Sequence, residues 1–498
     1  MGRLTPVLEG GRAAVGVEVE EALFVAAAVV EGADAGSEAE EFDRAEKHEA
    51  CGSPQPLRQR QSDWQDVWAA FAFLLTVGVS VAWGVVFTLA GGLTGSLRQF
   101  TLQLGEGVCG GAAPAHVVAG AALGISSAGG CAVVSVLLLQ RAPFAAIVLS
   151  ILLLFVALLL LSAMAFHQAA SLTGATLALL AVLQICWLCA VRSRIAFSAH
   201  LLAAASAVTQ QFPALFLIPA LLTVAFCGYL LWGLLVLYSA AKRMQCGDFA
   251  WADGVFAAVF AFSLAWVANF LSGVSRVTTA GVVGTWYFAG SEQMPPTPTW
   301  ASFARATTTS FGSVCLGALL NTVVQLLGWA CRLGLDSGSE FVDCCMACVQ
   351  SLLGDFVAYC NSYAYVEVGI YGCSYAAAAR RTWRLGQNCA CPAAYNDVLV
   401  SGTLRVLAVC LAGVVAAAAA AACPGRSATV GSIVFVTVLL PLNSLLRVVS
   451  GVVRTLFVCF AELPDGLAAS FPALHAALIA SDDNFAAVHA HQRGAVPV

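Results

Sequence analysis

Between Tyr359 and Trp383 a glutamate stands among tyrosines at helical spacing: Tyr363, Glu367, Tyr371 and Tyr375 follow one another every four residues. On a helix that step drifts by about 40° around the axis, so the carboxylate shares one face with the rings. Ring faces and an acid are the ingredients of a seat for an organic cation, each face contributing roughly 0.5–2 kcal/mol. A carboxylate at membrane depth costs roughly 2.5–3.5 kcal/mol on insertion scales, and is kept where it meets a partner, water or a ligand. The competing reading of Glu367 is an ion pair with an arginine of a neighbouring helix, Arg405, Arg447 or Arg454, with the tyrosines as packing or interfacial anchors.

The elements that must position these residues are membrane helices. A chain of 498 residues with 60% hydrophobic and 10% charged residues cannot hide its apolar surface in a water-soluble core, because soluble domains carry roughly 25% charged residues. The expected class is all-α: a polytopic membrane protein of about ten transmembrane helices behind a disordered acidic arm. Residues 1–63 are the arm, 64–462 the transmembrane domain and 463–498 a short cytosolic tail. The net charge of −5 describes the arm, where 12 of the 28 acids fall between Glu9 and Glu49, so nucleic acid is not an expected partner. The arm lacks the basic-then-apolar order of a signal peptide, and insertion is expected to start at the first span, behind the interfacial lead-in Trp64 to Trp68.

Taking about 20 apolar residues per crossing, spans are predicted near Val67–Ala90, Val117–Leu139, Phe144–Phe166, Leu172–Val191, Pro213–Leu237, Trp251–Leu271, Thr307–Ala330, Phe341–Ile370, Val398–Ala422 and Ser427–Phe460. Ile195 to Gln211 reads as a helix lying on the membrane surface. Val277 to Phe288 is apolar but short, and reads as a re-entrant or broken segment. Arginines near span ends (Arg58, Arg60, Arg141, Arg192, Arg194, Arg276, Arg305, Arg380, Arg381, Arg384, Arg405) fall on the N-terminal side, against Arg98, Lys242, Arg243, Arg332 and Arg426 opposite. That bias places both termini in the cytosol.

The other reactive residues carry less. Most of the nineteen cysteines sit singly in spans, where Cys behaves as a small hydrophobe. Cys345 and Cys348 have C-x-x-C spacing but lack a second pair, so no metal is expected. Gly105 to Gly110 matches a dinucleotide fingerprint in letters only, without the strand before it, and no ATPase-type phosphate loop occurs. No nucleophile, base and orienting acid recur at motif spacing. Catalysis and cofactors are therefore not expected.

Three polar-studded stretches carry the specific signal: Gly284-Thr-Trp-Tyr-Phe288 with Phe311-Gly-Ser-Val-Cys-Leu-Gly-Ala-Leu319; Asn361-Ser-Tyr-Ala-Tyr-Val-Glu-Val-Gly-Ile-Tyr-Gly372; and Val453-Arg-Thr-Leu-Phe-Val-Cys-Phe460. Small residues Ser310, Gly312, Ser313 and Gly317 let a neighbouring backbone approach, and Asn321 and Gln325 share a face. In this order the stretches resemble the choline transporter-like family, and within it the fungal and plant-type "pH nine sensitive" branch. The resemblance is firm over Gly281 to Asp465 and fainter from Trp64 to Leu237. Two departures stand out: Arg454 replaces an acid usual in the last motif, and Glu367 replaces an apolar residue of the animal choline carriers.

The resemblance implies a transporter of choline or a related organic cation, in a plasma membrane and among membrane lipids. Trp286, Tyr287, Asn361, Tyr363, Glu367 and Tyr371 are its candidate substrate-binding residues. The alternative is a transporter of another solute or lipid, or a membrane-organising protein, built on the same fold.

Overall fold

The computed structural model describes residues 63–90, 114–168, 171–245, 251–290, 294–334, 340–422, 427–463 and 475–476. The expectations for the acidic arm, for Gly105 to Gly110, and for the tail past Leu463 lie outside these residues, as do those for the side chains of Lys242, Arg243 and Cys344 to Cys348. The regular structure of the described residues is helical, as the bilayer demands of a spanning backbone that must satisfy its own polar groups.

In chain order the helices are α1 (Val67–Ala90), α2 (Pro114–Arg141), α3 (Pro143–His167), α4 (Ser171–Val191), α5 (Ile195–Gln211), α6 (Ala214–Gln245), α7 (Trp251–Ala289), α8 (Pro298–Thr307), α9 (Phe311–Gly334), α10 (Glu340–Tyr371), α11 (Tyr375–Ala422) and α12 (Ser427–Glu462). Among the described residues nine of them are long and apolar enough to cross a membrane: α1 to α4, α6, α7, α9, α11 and α12. The 32-residue α10, about 48 Å long, runs beside α7 and α9 and is long enough for a tenth crossing.

Side-chain pairs fix the direction of each helix. Phe73 lies against Trp266 and Phe270, and Trp83 against Phe256, so α1 is antiparallel to α7. Tyr229 meets Ser263 at 2.6 Å and a Cβ on Gly233 would strike Phe260, so α6 is antiparallel to α7 as well. Gly273 faces Val314 while Asn269 bonds Thr322, so α9 also opposes α7. Gly273 meets Tyr365 and Gly369 meets Ala280, so α10 runs parallel to α7. Asp397 pairs with Arg454 while Gly431 faces Ala420, so α11 and α12 are antiparallel. The start of α1 and the end of α12 therefore lie at the same end of the bundle, called here the inner end.

Two segments differ from the reading of the sequence. Ile195 to Gln211 is helical and does not cross: α5 follows α4 through a tight turn, and its Gln210 donates to Gln140 at the end of α2 at 2.7 Å. It is not laid on lipid, however. Ten of its residues are buried under α2, α3, α11 and α12, because a surface of Ala and Ser admits neighbours from every side. Val277 to Phe288 is neither broken nor re-entrant but the last third of the unbroken 39-residue α7. It looks short only when read apart from the helix it ends, and its glycines are contact points: a Cβ on Gly284 would lie 2.8 Å from Ile370 Cγ1.

Candidate functional site

Where α7, α9 and α10 cross near the inner end, side chains give way to backbone. A Cβ on Gly369 would stand 2.7 Å from Val277 O and 2.7 Å from Ala280 Cβ. Such contacts are reached only by small residues. One and two turns earlier on α10, the Tyr365 hydroxyl donates to Val314 O at 3.2 Å and Asn361 Nδ2 donates to Gly317 O at 2.9 Å. These bonds hold α10 at fixed height, and with it Glu367.

Glu367 is 1% exposed and lies one turn before the C-terminus of α10. Gly372, at φ +69°, ends the helix in the left-handed conformation that glycine adopts without strain. The chain turns back through Cys373 and Ser374 into α11, and this reversal delivers Arg381. Arg381 Nε stands 3.5 Å from Glu367 Oε2, and its Nη2 stands 3.8 Å from Glu462 Oε1 at the end of α12. The guanidinium carbon lies 4.2 Å from the centre of the Tyr371 ring, and the Tyr371 hydroxyl donates to Glu462 Oε2. Two carboxylates, one guanidinium and one tyrosine thus join three helices at the inner end. Among the described residues Glu367 Oε2 accepts no hydrogen bond, although buried polar atoms nearly always find a partner. The surroundings are dry: burial, then the Glu367 carboxylate, push the Cys373 thiol up to about 12.

The six residues singled out in the sequence do not form one cage. Glu367 and Tyr371 belong to the ionic cluster, and Tyr287 stands beside it, its hydroxyl donating to Leu463 O at 2.8 Å. Trp286 is buried on α7. Asn361 ties α10 to α9. Tyr363 points elsewhere, its ring tilted against that of Tyr359 at 4.9 Å and within electrostatic reach of Asp397 and Arg454. The partner of Glu367 is Arg381, not Arg405, Arg447 or Arg454. Arg454 instead forms a two-pronged pair with Asp397 at 2.6 and 3.1 Å, so the arginine that departs from the family pattern has its own acid.

Sequence reasoning also misses Asp66. Its Oδ2 accepts from Ser313 Oγ at 2.5 Å and from Tyr375 N at 2.8 Å, so the segment before α1 caps the start of α11. The available signal was an acid lodged between Trp64 and Trp68 just before an uncharged span. A small cleft opens beside these groups, lined by Val277, Ser302, Arg305, Ser310, Gly369 and Gly372 among others.

A bundle with nine helices long and apolar enough to cross a membrane among the described residues, carrying an ionic cluster across three helices at one end, is that of a polytopic membrane protein. The family model of the plasma-membrane choline transporter matches residues 175–465, more than half of the 498-residue chain, and the chain belongs to that family. It is similar to a CTL-like protein of Dictyostelium discoideum, 27% identical over 317 residues, which are 61% of this chain and 55% of that protein. It also resembles the protein PNS1 of Gibberella zeae, 31% identical over 229 residues, 43% of this chain and 42% of the relative. PNS1 of Cryptococcus neoformans is 30% identical over 250 residues, 45% of each chain. The chain thus spans about half the length of the curated relatives it matches.

Proposed function

We propose that this protein carries choline or a related small organic cation across a membrane, releasing the solute chemically unchanged. On this reading the membrane is the plasma membrane and the inner end of the bundle faces the cytosol. The observation that carries the proposal is the Glu367 carboxylate, buried, at ion-pair distance from one guanidinium that it shares with Glu462, and without a hydrogen bond on Oε2. Two acids share one guanidinium, so Glu367 has room for a second cationic partner. The Arg381 guanidinium over the Tyr371 ring occupies the kind of place a quaternary ammonium would take, on an aromatic face beside an acid. A solute cation can therefore compete with Arg381 for Glu367 and Tyr371, and in doing so loosen the contact that ties α10 to α11 and α12.

The test is uptake of labelled choline into vesicles holding the purified protein, with ethanolamine, thiamine and lysine as competitors. Glu367→Gln keeps the side-chain volume and leaves Arg381 paired with Glu462, so protein level should hold while saturable uptake falls at least tenfold, the equivalent of about 1.4 kcal/mol. Parent protein that takes up no organic cation, or a Glu367→Gln variant with parental uptake, would overturn the proposal.

A further inference from the structure

Arg405 on α11 and Arg447 on α12 are both exposed, and both close an apolar, outward-facing stripe. Arg447 lies seven residues beyond Leu440, which is 60% exposed, and Arg405 four residues before Val409, which is 48% exposed. Seven and four residues return to nearly the same side of a helix, so each arginine faces the way its exposed apolar neighbours do, outward into lipid. Arg447 stands within electrostatic reach of Arg405 and Arg454, and Arg276 on α7 within reach of Arg447 and Arg454.

Depth follows from helix length. From Ser427 to Arg447 is about 30 Å of helix, from Ala422 back to Arg405 about 26 Å, and from Gly254 to Arg276 about 33 Å. Each is about one hydrocarbon thickness from the outer end of its helix. The three arginines therefore share the level at which lipid phosphates lie. Among the described residues none of the three has an ion pair. The carboxylate of the neighbourhood, Asp397, is held by both prongs of Arg454.

We propose that Arg405 and Arg447, with Arg276 behind them, bind the phosphate headgroup of an anionic phospholipid in the inner leaflet, whose acyl chains lie along the stripes of Val409, Val436 and Leu440. Guanidinium forks match phosphate oxygens in pairs, and basic residues at the edge of a span draw acidic lipids to them. This site lies apart from the cluster around Glu367, so its test does not depend on the solute carried.

The experiment is native mass spectrometry of the detergent-purified protein, titrated with phosphatidylserine or phosphatidylcholine of matched chains. The parent is expected to prefer phosphatidylserine. The double variant Arg405→Gln, Arg447→Gln should lose about fivefold in affinity for each charge removed, while Arg405→Lys, Arg447→Lys keeps the charge and most of the preference. A control double, Arg141→Gln, Arg192→Gln, removes the same charge from exposed positions elsewhere at the inner end and should bind as the parent does. Equal loss in the control would show a diffuse basic field in place of a site, and overturn the proposal. So would a parent without preference, or a Gln double that keeps it. Competition by glycerol 3-phosphate at the concentration where the lipid binds would assign the arginines to a soluble phosphate ester and overturn the lipid assignment. The melting temperature in phosphatidylcholine should match the parent's in all variants; should the Gln double not fold, the two single Gln variants carry the same comparison.

Discussion

The ionic cluster at the inner end sets two acids against one arginine, and that sharing separates the roles of its members. With Arg381 in place, Glu367 and Glu462 share a cation. Without it, two acids face each other beside Tyr371, and the more buried of them, Glu367, has neither a hydrogen bond on Oε2 nor a charge partner. Arg381→Gln should therefore destabilise the protein by about 1–3 kcal/mol, since an uncompensated buried polar group costs about that much and more when charged. The 28% exposure of the Arg381 side chain places the loss toward the lower part of that range, because water screens the pair. Adding Glu367→Gln to Arg381→Gln removes one of the two acids and should restore most of the lost melting temperature. A double variant as unstable as Arg381→Gln would mean that Arg381 acts through packing and not through charge. Glu367 was legible from its place among tyrosines, but Arg381 was not. Along a straight helix Arg381 lies more than three turns past Glu367, and only the turn at Gly372 folds it back.

At the scale of the element, the bundle is organised by where helices touch backbone to backbone. At Gly317 a Cβ would come within 2.6 Å of Tyr375 Cε2 and 2.8 Å of the Tyr365 hydroxyl; at Gly402 it would meet nothing within 4 Å. Gly317→Leu should push α10 and the start of α11 away from α9, costing about 1–3 kcal/mol as overpacking does and lowering the yield of folded protein. Gly402→Ala on α11 should melt at or slightly above the parent, since Ala favours a helix by roughly 0.5–1 kcal/mol over Gly. A Gly317→Leu protein as abundant and heat-resistant as the parent would show that this face has free space. Helix type and span number are legible because long uncharged apolar runs leave the backbone little choice. Element ends are less so. The first turns of α11, from Tyr375 to Arg384, hold three arginines and so read as a connection between spans, yet Ala376 to Ala379 favour helix and Asp66, from far away in sequence, accepts from Tyr375 N where the helix starts.

At the scale of the whole molecule, parity of the crossings follows from contacts and not from counting apolar runs. The one helix that threatens the count is α5, at 17 residues about 26 Å long and almost enough to reach across. It returns to the end it left: it starts three residues after α4 ends, Gln210 bonds Gln140 where α2 ends, and α6 begins two residues later. An even number of crossings puts the start of α1 and the end of α12 on one side, and on the proposed reading that side, which carries Arg141, Arg192, Arg276 and Arg405, faces the cytosol, as the positive-inside rule expects. A cysteine placed in the turn after α4, at Ser193, and tags at the two termini should accordingly be labelled by an impermeant reagent only after the plasma membrane is opened. A cysteine in the segment between α1 and α2, at Gly110, should be labelled in intact cells. Opposite behaviour of the two termini would make the number of crossings odd, and the first helix to reconsider would be α5.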